Sequence, residues 1–109
     1  KMLAKSGAAI VVCGRPDEAL PGEANSMWVQ DCSAASENIL LAAQGIGLGA
    51  VWVGVYPIAE RMGVVRQALG LPETVVPLNA ISLGHPLGIE RPKRKFDADR
   101  VHWEAWQDK

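Results

Sequence analysis

The chain has 109 residues, 49% of them hydrophobic, and 11 basic against 12 acidic side chains give a formal net charge of −1. That length suits one domain, and the near balance of charge supplies no global field to draw in nucleic acid or an anionic membrane. No basic stretch leads into an apolar core, and no apolar run reaches the roughly 18 residues of a membrane span, which argues against a signal peptide or a membrane protein.

The chain opens Lys-Met-Leu, and its first apolar segment follows at once, a start that reads as the interior of a longer protein. Residues 8–13 (AIVVC and its neighbours), closed by Gly14-Arg15-Pro16, predict a buried strand. Residues 15–25 form a polar loop with two prolines, and Ser26 is placed to cap a helix running from 27 to 44. On that helix Gln30, Glu37 and Gln44, with Asp31 and Asn38, draw one narrow polar stripe, and nearly everything else is apolar or small. The pattern predicts burial on several sides, more than two short strands can offer. Cys13 and Cys32 form no CxxC and join no His/Cys cluster, so they read as buried thiols in a reducing compartment.

Gly45 and Gly47 are expected to stop the helix, and residues 50–53 form a short extended piece. A second helix is predicted over 58–69, with Ile58, Met62, Val65 and Leu69 as its apolar stripe and Gly70 at C′. A strand over 75–83 follows, with Pro77 expected at its start or on an edge. The rest is a polar tail. This order predicts an α/β or α+β layered domain, although two clear strands make a poor sheet alone.

Few motifs survive inspection. Gly45-x-Gly47-x-x-Ala50 matches a dinucleotide fingerprint but closes a helix instead of opening one after a strand. Ser82 and His85 lack a strained nucleophile elbow, His85 and His102 lack a third metal ligand, and Asp31 and Glu37 are spaced wrongly for a carboxylate pair. Two features stand out. Gly49 and Gly54 bracket an aromatic-flanked extended strip, as close approach of a planar ligand would require. Arg91, Lys93, Arg94 and Lys95 form a basic cluster suited to one phosphate.

Taken together, WVQDCSAASENILLAAQGIGLGAVWVGVYP (28–57), the helix leading to ALGLPE, the strand ending in SLGHP, and RPKRKF followed by DRVHWE resemble the C-terminal part of the flavin-dependent nitroreductase family, over residues 8–106. The resemblance implies an α+β fold of three layers, α/β/α, of which residues 1–109 are the C-terminal portion. The family's N-terminal portion, with its Arg-rich FMN-binding motif, has no counterpart in the sequence. FMN is the implied cofactor, with no metal and no catalytic side chain. The strip matching Val51, Trp52, Val53 and Gly54, continuing to Tyr56, runs past the isoalloxazine ring, with the backbone N–H of Val53 or Gly54 directed at flavin N5. Trp52 or Tyr56 packs at the ring edge or plugs the core. Arg94, with Lys93 or Lys95 as alternatives, holds the phosphate.

The helix over 28–44 is implied to be the centre of a homodimer with FMN sites between subunits. The implied activity is ping-pong transfer of electrons from NAD(P)H to nitroaromatic, quinone or similar acceptors, in the cytoplasm. The alternative from another class is a noncatalytic flavin-binding or dimerisation module.

Overall fold

The computed structural model describes residues 2–109. Strands β1 (Ala8–Gly14), β2 (Gly49–Gly54) and β3 (Val76–Gly84) form one antiparallel sheet in the order β1-β3-β2. Two helices accompany it, α1 (Met27–Gly45) and α2 (Ala59–Leu69). Successive side chains of a strand point to opposite faces. On β3, Asn79 reaches Ser36 of α1, whereas its neighbour Ala80 lines a cleft with Arg61, Val64 and Val65 of α2. The helices therefore cover opposite faces, and all three layers are present. The extended piece at 50–53 is a full strand of the ladder, so the sheet has three strands, not two, and the expectation of a partial fold is corrected to an α/β/α unit with every layer represented.

The core sits on the middle strand. Leu78, Ala80 and Ile81 of β3 are buried, joined by Val55 just beyond β2 and by Trp28 and Ala43 of α1. Pro77 is buried in this central strand, opposite Cys13, where the β1 register shifts between Val12 and Cys13. It begins the strand as expected but lies on no edge; the bulge accommodates the missing N–H instead.

Both helices end on left-handed glycines. Leu48 N–H donates to the Ala43 carbonyl at 2.8 Å and Gly47 N–H to Gln44 at 3.2 Å, with Gly47 at φ 82°, a Schellman stop. Gly45 is still helical, so one glycine ends α1, not two. Gly70, at φ 63°, closes α2 as predicted. The start of α1 differs from expectation. Ser26 makes no capping bond, because Gly22–Ser26 is already a 3-10 turn that runs into the helix.

α1 is also less buried than its composition suggests. Only Trp28, Ser36 and Ala43 are buried, and Met27, Ala34, Ala35, Leu41 and Ala42 are exposed. One sheet covers one face of a helix, and no second covering surface lies among the described residues. Past β3 the chain has little regular structure beyond a short 3-10 turn, Ala98–Arg100, and leaves Leu87, Ile89, Phe96, Trp103 and Trp106 exposed. The radius of gyration, 17.1 Å, exceeds the roughly 13 Å of a compact chain this long.

Candidate functional site

The strip singled out in the sequence is the edge strand β2, and its hydrogen-bond parity decides which backbone groups are free. β2 meets β3 with Val53 opposite Ala80 and Gly54 opposite Asn79, and just past the strand Val55 N–H donates to the Leu78 carbonyl at 3.1 Å. Bonded and non-bonded pairs alternate along an antiparallel ladder. With Val55 joined to Leu78, Val53 is joined to Ala80, and Gly54 is not joined to Asn79. Since β2 lies at the sheet edge, the N–H and C=O groups of Trp52 and Gly54 turn outward. The N–H of Val53, like that of Val51, faces β3.

Gly54 presents that outward backbone without obstruction: a Cβ built on it would meet nothing within 4 Å. Gly49, by contrast, has the Gly84 carbonyl at 3.5 Å from such a Cβ, an ordinary contact that makes no special demand for glycine. Beside Gly54 opens a cleft of about 560 Å³, lined by Val53, Gly54 and Val55 from the β2 end and by Ile58, Arg61 and Val65 from α2 and its approach. That size lies in the range of roughly 300–1,000 Å³ usual for small-molecule sites. At its rim Arg61 Nη1 donates to the Gly54 carbonyl at 2.9 Å.

The loop that leads from β2 into α2 is anchored by aromatic packing. Tyr56 meets Trp28 edge to face, with ring centroids 4.9 Å apart, and Trp28 also covers Gly14 at the end of β1. Tyr56 thus serves the packing between α1 and the loop, while Trp52 is partly exposed on the edge strand. Between β3 and α1, Asn79 Nδ2 donates to Ser36 Oγ at 2.8 Å, and Ser36 Oγ donates to the Cys32 carbonyl at 2.7 Å. Asn79 and Ser36 are both fully buried. The relay leaves Asn79 Oδ1 without a partner.

The basic residues stand apart from the strip. Lys93, Arg94 and Lys95 are exposed in the irregular segment after β3, make no ion pair among the described residues, and do not line the cleft beside Gly54. Ser82 is buried in β3, His85 is exposed past its end, and no hydrogen bond joins them. No three His, Cys, Asp or Glu side chains gather as a metal site among the described residues, and no helix there is long and apolar enough to cross a membrane. Cys13 and Cys32 are free thiols, each pushed above its ordinary range mainly by burial, with the other thiol adding to the effect at Cys13 and Asp31 at Cys32. Sequence reading missed Arg61 and the Asn79–Ser36 pair. A contact across seven residues and one across forty-three leave no periodic trace.

Comparison with known proteins extends this picture. The profile of the nitroreductase family matches residues 1–85. A candidate NADH dehydrogenase/NAD(P)H nitroreductase of Archaeoglobus fulgidus is 49% identical over 109 residues, covering 97% of this chain and 62% of the relative. The crystal structure of a protein of the same description from Bacteroides thetaiotaomicron superposes with a TM-score of 0.85 at 43% identity, over 94% of this chain and 57% of that one. An FMN reductase (NADPH) of Bacillus subtilis is 30% identical over 74 residues, 68% of this chain and 29% of the relative. The chain therefore spans less than two thirds of the length of the relatives it matches. The expected confinement of the likeness to a C-terminal part of the fold is corrected by the same comparisons. The profile match covers residues 1–85 and the structural likeness runs through 94% of the chain, so the nitroreductase-like α+β fold is not a partial one within it. By the profile match and by likeness in both sequence and structure, this chain belongs to the nitroreductase family.

Proposed function

We propose that the protein acts as an FMN-dependent NAD(P)H oxidoreductase, passing electrons by ping-pong chemistry to nitroaromatic, quinone or similar acceptors. The observation that carries this reading is the outward N–H of Gly54 on the open edge of β2, at a residue with no side chain to block approach. A flavin ring needs such a donor and such clearance. FMN, when bound, supplies the redox chemistry, accepting a hydride from NAD(P)H and giving the electron pair to the acceptor. The chain supplies position. Gly54 N–H is the donor toward N5, Val51, Trp52 and Val53 form the strip beside the ring, and Val53 and Val55 keep the adjoining cleft apolar. Arg94, with Lys93 and Lys95 beside it, is the phosphate ligand, its charge unspent on any neighbouring carboxylate among the described residues.

The exposed apolar and small side chains of α1 support a homodimer built on that helix, and the exposed aromatic residues of the C-terminal segment add apolar surface suited to a subunit contact. Two cysteines held as thiols accord with the cytoplasm. The test is direct. Purified protein should carry or take up FMN, and anaerobic NADH or NADPH should bleach its absorbance. Flavin that binds and does not bleach indicates a noncatalytic binding module, and protein that takes up no flavin defeats the proposal.

A further inference from the structure

Gly54 is the last residue of β2 and, as a glycine, has a backbone little restrained by its own chemistry. The peptide that follows it is nevertheless held at both ends. Its N–H, belonging to Val55, donates to the Leu78 carbonyl of β3 at 3.1 Å. Its carbonyl, turned away from the sheet by the ladder parity, accepts from Arg61 Nη1 of α2 at 2.9 Å. α2 is itself tied to this loop, since Ile58 N–H donates to the Val55 carbonyl at 3.0 Å and Met62 N–H to Ile58 at 3.0 Å. Arg61 thus closes a ring of contacts whose other members are backbone. Its guanidinium is charged at every working pH, and it makes no ion pair among the described residues, although Glu60 borders the same cleft.

We infer that Arg61 is a positioning residue of the flavin strip: it holds the Gly54 carbonyl outward and sets a permanent positive charge beside the Gly54 amide, favouring reduced over oxidised FMN. The inference rests on the function proposed above. Uptake of two electrons and one proton leaves one additional negative charge on the ring system, and a fixed cation nearby stabilises that form. Because Arg61 is exposed, solvent and salt screen the effect to a modest size.

Two variants separate charge from shape. Arg61→Met keeps much of the bulk and removes charge and donors, and Arg61→Lys keeps the charge with a different donor geometry. Dissociation constants for oxidised and for dithionite-reduced FMN are measured, alongside amide exchange at Gly54 and Val55 in flavin-free protein. The expected result for Arg61→Met is a fall of about tenfold in the ratio of reduced to oxidised affinity, equivalent to about 30 mV for a two-electron couple, with faster exchange at Val55. Arg61→Lys should restore most of the ratio. An unchanged ratio overturns the inference, including the case in which exchange alone accelerates and Arg61 is only a structural clamp. Wild-type protein that binds FMN in neither state defeats the proposed function instead, and the flavin-free exchange then decides the clamp by itself.

Discussion

The indole of Trp28 lies against the α-carbon of Gly14, leaving no room between them for a methyl group: a Cβ there would overlap Cε3 and stand 2.8 Å from Cζ3. The first turn of α1 is seated on the end of β1 by this contact, and Tyr56 packs edge to face with the same indole. Gly14→Ala should therefore cost about 1–3 kcal/mol, as overpacking does. Urea melts of the single variant and of Gly14→Ala/Trp28→Leu check it. The pair should lose less than the sum of its singles, and strict additivity would count against the steric account.

The Asn79–Ser36 hydrogen bond makes a second stability prediction. Asn79 already has one unpartnered amide atom, so Ser36→Ala would strand its other end as well. The expected loss is about 1–3 kcal/mol, with Ser36→Ala/Asn79→Leu recovering part of it, because an apolar pair of similar shape leaves nothing unsatisfied. Denaturant midpoints decide; a double variant weaker than Ser36→Ala alone would refute the explanation.

Much of this architecture was legible in the residues, for identifiable reasons. Gly70 followed by Leu71-Pro72 specifies a helix stop through local backbone chemistry alone, and β3 is a mostly apolar run, broken by Asn79 and Ser82, between clear turn residues. Of the two places open to Pro77, the start of the strand or an edge, only the partner strand decides, since the bulge opposite it lets a proline begin a central strand. α1 looked buried all round because composition records what a surface can bury, not whether a neighbour is there to bury it. In the strip, glycine content pointed to residues 49–54, but which amide is free depends on pairing parity, which no single strand contains.

Gly54→Ala separates fold from site. The position has no positive φ and open space for a methyl, so stability should stay within about 0.5 kcal/mol of wild type. FMN affinity should fall, because the methyl occupies the approach to the strip. Parallel melts and flavin titrations test this, and an unaltered dissociation constant would remove Gly54 from the site.

Alkylation rates report on the thiols. Partial burial raises both Cys13 and Cys32 above the ordinary 9.0, so at neutral pH a thiol reagent should react more slowly with the native protein than with the unfolded chain. Their contribution to stability is fully present below the unfolded value and is lost as pH rises through the folded one. Melting temperature should accordingly decline above about pH 9, and less steeply in Cys13→Ala/Cys32→Ala. Equal slopes would assign the decline to other groups.

Leu41, on the uncovered side of α1 and 62% exposed, tests the proposed homodimer. Leu41→Glu should shift sedimentation toward monomer while leaving the helical signal intact. A wild-type protein that sediments as a monomer at every concentration would defeat the dimer outright.

The parity of β2 has a consequence for how this chain can vary. Because outward and inward backbone groups alternate residue by residue, sliding β2 along β3 by a single position would turn Val53 outward and hide Gly54, while also exchanging the two faces of the strand. Only even-numbered displacements preserve the pattern. Insertions and deletions that carry the strand along β3 are thereby constrained to steps of two, and the phase of the ladder becomes as much a part of the site as any side chain.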